Sequence, residues 1–292
     1  MAAWHFEPLP PQEMSARWDD LPIWRMLDSS GSRRARWAKR TLLFPAMALA
    51  AWRMNQDGGP YRYHTGNYVL AFQSFLSLRE GLRSGWLDAV FVTTNQKVRF
   101  LAGRGIAATF APFGYHPHLG AIRSVPRDID VVFLGKVQNE RRRTLTRVVE
   151  EARSLGVEVR VVDRDCWGEK RTTLLNRTKI MLHLHNFPWD TPWQRWMIAG
   201  ANGAMVVSEP LSLPDPLVPG IHYAEAPIEK MAAALRHYVV QAEERQRMAD
   251  ALARLVRDDM SLDRSAARIL EVFGMLPATQ ATQGRGPMRS ST

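Results

Sequence analysis

Thr191, Pro192, Gln194 and Arg195 open what their spacing predicts to be a helix, and a helix start can hold an anion on free N–H groups and a positive dipole end. Thr191 serves as N-cap, Pro192 suits the first helical position, and Gln194 completes a Thr-x-x-Gln capping box. Gly203 stops the helix. Arg195 lies one turn in, where its planar fork can pair with phosphate through two parallel hydrogen bonds. A phosphate is the anion expected. His183 and His185, two apart and just upstream, project to one face of a strand. That spacing permits metal binding, but no Cys, Asp or Glu cluster supplies the other ligands, so no metal is expected and core histidines are the plainer reading.

The elements that would position these groups form an α/β pattern. Residues 179–184 read as a buried strand and 204–208 as another, separated by a loop and one crossover helix, as a parallel sheet requires. Upstream, 128–136 (DIDVVFLGK) reads as a strand closing on Gly135, 139–156 as a helix ending on Gly156, and 157–163 as the second strand of a right-handed βαβ unit. Residues 168–178 give a polar turn or short helix. Residues 228–259 read as two helices, and a last helix follows Ser261. The stretch 276–292, low in apolar content, is expected to be a disordered tail.

Earlier in the chain, 86–94 and 106–112 read as strands, with a turn or two of helix over 96–102 between them. The Gly- and Pro-punctuated stretch 114–127 reads as an interdomain linker. Residues 1–32, with Trp4, Trp18 and Trp24 and no period, are expected to wrap a domain surface. RRARWAKR at 33–40 carries five positive charges and runs into TLLFPAMALAAW. That segment, 33–53, is either a helix packed on the body of the protein or one lying on a membrane surface, and Pro45 would kink it either way.

Composition sets the outer limits. At 292 residues and 46% hydrophobic content the chain can bury one large or two modest cores. No apolar run approaches the ~18–20 residues that span a bilayer, and the first residues lack a signal-peptide pattern. The single cysteine, Cys166, excludes an internal disulfide framework and suggests a cytoplasmic setting, with a peripheral place at the inner membrane face if 33–53 lies on lipid. A net charge of +10 favours acidic partners, whether nucleotide phosphates, nucleic acid or anionic lipid.

The order DIDVVFLG, an Arg-rich helix start, LNRTKIMLHLHN, Arg195 with Gly203 eight residues on, and Pro219-Gly220 resembles the C-terminal half of GT-B glycosyltransferases, most of all the CgeB-like, spore-maturation type. FVTTN, GRG and FAPFGYHP before it are similar to the end of that family's N-terminal domain. The resemblance implies two Rossmann-like domains facing a cleft: a reduced acceptor domain over 1–122 with an irregular N-terminal arm, and a nucleotide-sugar-binding domain over 123–275. It implies transfer of a sugar from a nucleotide diphosphate donor to a glycan, lipid or protein acceptor, with no metal or other cofactor required. Many retaining members of the superfamily carry a Glu, seven residues, then a Glu. Here Asp190 falls at the first position and Ile198 at the second, and Ile198 cannot bond a ribose or sugar hydroxyl.

Stabilising a leaving diphosphate calls for fixed positive charge and N–H donors. Gly135 and Lys136, at a strand end, and Arg141 and Arg142, at the next helix start, are the expected contacts alongside Thr191 and Arg195. His185, Asn186 and Asp190 are candidates to face the donor, and Ser208 and Glu209 to hold the ribose, Glu209 also as a substitute for the carboxylate absent at 198. His64, in a Gly-flanked loop, is the candidate general base on the acceptor hydroxyl. Trp189, Trp193 and Trp196 offer stacking surfaces or packing between domains. A second reading is a non-catalytic nucleotide-sugar-binding or scaffold protein, favoured by Ile198 and the short first domain. A third, a basic nucleic-acid-binding protein, finds no recognised motif, so no nucleic acid is expected.

Overall fold

The computed structural model describes residues 1–5, 9–10, 65–137, 139–185 and 193–275, with the backbone alone for 65–70 and 139–140. Asn186, Asp190, Thr191, His64, the segment 33–53 and the tail 276–292 therefore lie outside the described residues. Two parallel sheets organise the rest. The first has the order β1 (Ala2–His5), β2 (Ala89–Val92), β3 (Thr109–Phe110). Helix α1 (Thr65–Arg83) precedes β2, and α2 (Asn95–Ala102) links β2 to β3. Phe75 and Leu78 of α1 meet Val90, Val92, Phe100 and Leu101 in one core, at the i, i+3 spacing that puts side chains on a single helix face. Thr94 caps α2 by accepting from the Lys97 N–H.

Ala2–His5, expected to wrap the surface, is instead an edge strand, paired in parallel from Ala2↔Ala89 to His5↔Val92. The Trp4 indole N–H donates to the Ala111 carbonyl at 2.8 Å, which holds the strand's side chains against the far end of the sheet.

The second sheet has the order β5-β4-β6-β7-β8. Its strands are β4 (Ile129–Leu134), β5 (Val159–Val162), β6 (Thr178–His183), β7 (Met205–Ser208) and β8 (Ala224–Glu225). Helices α3 (Asn139–Ser154), α4 (Gly168–Asn176) and α5 (Gln194–Ala201) are the crossovers, followed by α6 (Ile228–Val240), α7 (Ala242–Asp258) and α8 (Leu262–Val272). Strand residues alternate between two covered faces, as parallel sheets require. Val131, Phe133, Ile180, Leu182, Met205 and Val207 pack with α3 and α6. Met181 and Val206 pack with Trp196 and Met197 of α5 and Leu252 and Val256 of α7. Among the described residues no helix is long and apolar enough to cross a membrane.

The chain passes between the sheets twice, and the passages bond to one another. The Tyr115 N–H donates to the Met260 carbonyl at 2.7 Å and the Leu262 N–H to the Tyr115 carbonyl at 2.8 Å. Helix α8 then packs back on the first sheet: the Ser265 hydroxyl donates to the Pro112 carbonyl at 2.8 Å, and the Phe273 ring lies 6.1 Å from that of Phe91. Gly114 is required by this contact, because a Cβ there would overlap the backbone of Ser261 and Leu262. Gly114→Ala is expected to destabilise the protein by about 1–3 kcal/mol, the usual cost of overpacking. Gly103→Ala, whose Cβ would meet only ordinary contacts at 3.5 and 3.6 Å, is the matched control, and thermal denaturation of the two variants checks the difference.

Candidate functional site

In the order β5-β4-β6, the chain leaves β4 toward β5 on one side while β6 lies on the other, so the carboxyl ends of β4 and β6 flank a topological switch point. Such a point leaves a crevice beyond the strand ends, where α/β folds bind ligands. A cavity of about 430 Å³ opens there. Leu134, Gly135 and Lys136 form its floor, Gln194, Arg195, Met197 and Ile198 of α5 one wall, and the β5–α4 turn the other. Phe113, Gly114 and Leu119, from the passage between the sheets, close a side.

Arg195 is the charge of this site. Its guanidinium stands over the Phe133 ring at 5.1 Å and fills the space where a Cβ at residue 135 would be. Gly135, at φ 143, accepts both that contact and its own backbone conformation. Arg195 Nη1 is buried, and among the described residues it has no hydrogen-bond partner. Burial first, and the like charge of Arg141 second, push the guanidinium down from its ordinary value to about 9, still protonated at neutral pH. An unpaired buried cation at the mouth of a crevice is a site that an anion would complete.

Arg141 shares the Phe133 ring from 5.9 Å, with Nε donating to the His185 carbonyl and Nη1 to the Lys136 carbonyl, both at 3.3 Å. Burial lowers its pKa, and Glu209 opposes that shift. Arg141 thus braces the β4–α3 turn behind the cavity, while Lys136 lines it. Arg142 is exposed and donates to the Val137 carbonyl at 3.2 Å, away from the lining.

Three other expected contacts are turned inward. The backbone N–H of His185 donates to Glu209 Oε2 at 2.6 Å, and its Nε2 bonds the Pro210 carbonyl at 2.8 Å. Ser208 is fully buried, its hydroxyl donating to the Glu209 carbonyl at 2.7 Å. None of the three lines the cavity, so Glu209 does not stand where Ile198 lacks a carboxylate; it ties the ends of β6 and β7 together instead. His183 is wholly buried, 4.7 Å from the Trp196 ring and 5.3 Å from that of His185, with neither ring nitrogen hydrogen-bonded among the described residues. Trp193 and Trp196 are core residues, Trp193 lying 6.1 Å from Phe110 of the first sheet. Ahead of α5, Trp193 already has helical dihedrals (φ −46, ψ −31), so the helical path begins before Gln194.

The wall built by Asp163, Arg164, Asp165, Cys166, Trp167 and Arg171 was not anticipated from sequence. The usable signal was position: a turn directly after the second strand of a βαβ unit lies at the ligand-binding edge of the sheet. Trp167 is 76% exposed.

Residues 138–271 match the family model described as Glycosyl transferase-like. Solved glycosyltransferase structures match 70–80% of the chain at low identity. The fold is that of the GT-B glycosyltransferases. A S. aureus TarM mutant in complex with fondaparinux, alpha-GlcNAc-glycerol and UDP matches with TM-score 0.57 and 12% identity, over 70% of this chain and 47% of TarM. The chain therefore spans about half the length of TarM. Anabaena HepE in complex with UDP and glucose matches with TM-score 0.55 and 10% identity, over 80% of this chain and 76% of HepE. Sucrose-phosphate synthase from Thermosynechococcus elongatus matches with TM-score 0.52 and 13% identity, over 77% and 71%. No curated protein matches the chain by sequence.

Two outcomes follow from this geometry. Gly135→Ala is expected to evict the Arg195 guanidinium and weaken anion binding at the cavity while the sheet persists, measured by pyrophosphate titration with circular dichroism as the fold check. The second concerns pH. Burial, then Arg195, holds His183 well below its ordinary 6.5, and burial, then Lys97, holds His5 down to about 4. Both stay neutral in the folded chain where the unfolded chain takes up a proton. Stability is therefore full above pH 6.5 and falls as pH drops toward about 4, by on the order of 1 kcal/mol per group at one unit below the unfolded value. Urea denaturation at pH 7.5 and 5.5 checks this, and His183→Gln is expected to shrink the difference.

Proposed function

We propose that this chain transfers a sugar from a nucleotide diphosphate sugar to an acceptor hydroxyl, with the donor's diphosphate on Arg195 and Lys136. The observation that carries the reading is the unpaired Arg195 guanidinium at the switch-point cavity. Cleavage of the sugar–phosphate bond leaves a diphosphate with additional negative charge, which the held Arg195 guanidinium stabilises without reorganising, with the exposed Lys136 adding a second positive charge. Support comes from the glycosyl transferase-like match over 138–271 and from GT-B relatives whose structures hold UDP. The finer assignment, CgeB-like, rests on the order and spacing of DIDVVFLG, the Arg-rich helix start, LNRTKIMLHLHN, Arg195 with Gly203, and Pro219-Gly220.

A second reading, a nucleotide-sugar-binding protein without transfer activity, is favoured by one observation. Ile198 lines the cavity where many retaining enzymes of this superfamily carry a carboxylate, and Glu209 is engaged elsewhere.

Isothermal calorimetry with uridine, guanosine and deoxythymidine diphosphates tests binding. At least one is expected to bind, and Arg195→Ala to weaken it by about 10- to 100-fold, the loss of a charge-assisted hydrogen-bond pair. A folded protein that binds none of the three would overturn the proposal. Binding with no donor hydrolysis or transfer would select the second reading.

A further inference from the structure

Two carboxylates on the cavity wall, Asp163 and Asp165, are not explained by an anion site. Asp163 lines the cavity opposite α5, in company with Lys136, Arg164, Arg171 and Arg195. A carboxylate facing phosphate weakens binding, so it belongs where the ligand presents donors. It forms an ion pair with its neighbour Arg164 at 3.6 Å, between side chains 46% and 80% exposed, and such a contact holds it only weakly.

The sheet register says what Asp163 would meet. Leu134 pairs with Val162, and the Gly135 N–H donates to the Val162 carbonyl at 2.9 Å. Gly135 and Asp163 are thus the next residues on neighbouring strands, about 4.8 Å apart in the hydrogen-bonding direction. The Arg195 guanidinium rests on Gly135. A nucleoside diphosphate laid across from Gly135 toward β5 would bring its sugar one strand spacing away, to Asp163. Among the described residues the alternatives are worse placed: Ile198 has no side-chain hydrogen-bonding atom, Glu209 is bonded to the His185 N–H, and Asp165 lines the cavity further from the paired strand end.

We infer that Asp163 accepts hydrogen bonds from the ribose hydroxyls, so that the cavity selects a ribonucleoside diphosphate over its 2′-deoxy counterpart. The inference rests on the nucleotide-sugar reading above. The order strand, Gly135, helix, strand, Asp163 is the arrangement by which dinucleotide-binding folds place an acid on a ribose. Here it supplies what α5 lacks: Arg195 fixes the phosphates from one strand and Asp163 reads the sugar from the next.

The test uses the full chain in calorimetry with uridine and guanosine diphosphates, each against its 2′-deoxy form, and with inorganic pyrophosphate. The wild-type protein is expected to favour the ribo form about tenfold, the worth of one hydrogen bond to a charged group. Asp163→Ala is expected to bring that ratio close to one while pyrophosphate affinity holds or rises, which also shows that the variant is folded. Three results would overturn the inference alone: equal wild-type affinity for ribo and deoxy forms, a ratio unchanged in Asp163→Ala, or a ratio abolished only by Asp165→Ala. Wild-type protein that binds neither pyrophosphate nor any nucleotide would overturn the nucleotide-sugar reading itself.

Discussion

A guanidinium held against an aromatic ring, with no carboxylate among the described residues to neutralise it, is the constraint around which the second sheet is arranged. Arg195 can occupy its place because residue 135 has no side chain, because Phe133 offers a ring face below it, and because α5 enters the crevice beside the end of β4. Placing Arg141 on the same ring adds a like charge and makes the arrangement costlier still. A fold selected for stability alone would pair or remove such a charge. The geometry is intelligible as one half of an interaction whose other half is a ligand's anion.

The region behind Arg195 is stiff in a way that serves it. Trp193 and Trp196, on either side of it in sequence, are both buried, and their indole N–H groups have no hydrogen-bond partner among the described residues. Each such group costs ~1–3 kcal/mol relative to a satisfied one. The packed aromatic cluster of Trp196, His183 and Tyr223 offsets that with contact area and fixes the first turn of α5, and so the direction of Arg195.

How far the sequence could be read depended on how local the deciding interaction was. Apolar runs, flanked by glycine at β4, β5 and β7, identified β4, β5, β6 and β7, and the long periodic stretches identified α3, α6 and α7, because burial of these elements is written in their own residues. Arg195 was legible for the same reason: it sits in a helix start marked by its neighbours. Ala2–His5 was not, since its four residues carry no alternation and its partner strand lies more than eighty residues on. Ser208 and Glu209 were read as facing a crevice because they follow a strand. What turns Glu209 inward is the backbone N–H of His185 on the adjacent strand, a contact that only the pairing of β6 with β7 creates. Asp163 was visible as a strand's last residue, but its relation to Gly135 depends on the β4–β5 register.

Helix α8 follows the second sheet in the chain yet packs on the first, through Ser265, Arg268 and Phe273. The two halves are consequently not exchangeable cassettes. A chimera that joined this second half to a foreign first half would bring along a helix shaped for the wrong partner. A recombination boundary that respects the molecule must carry residues 262–273 together with the sheet they cover, even though the whole second sheet intervenes between them.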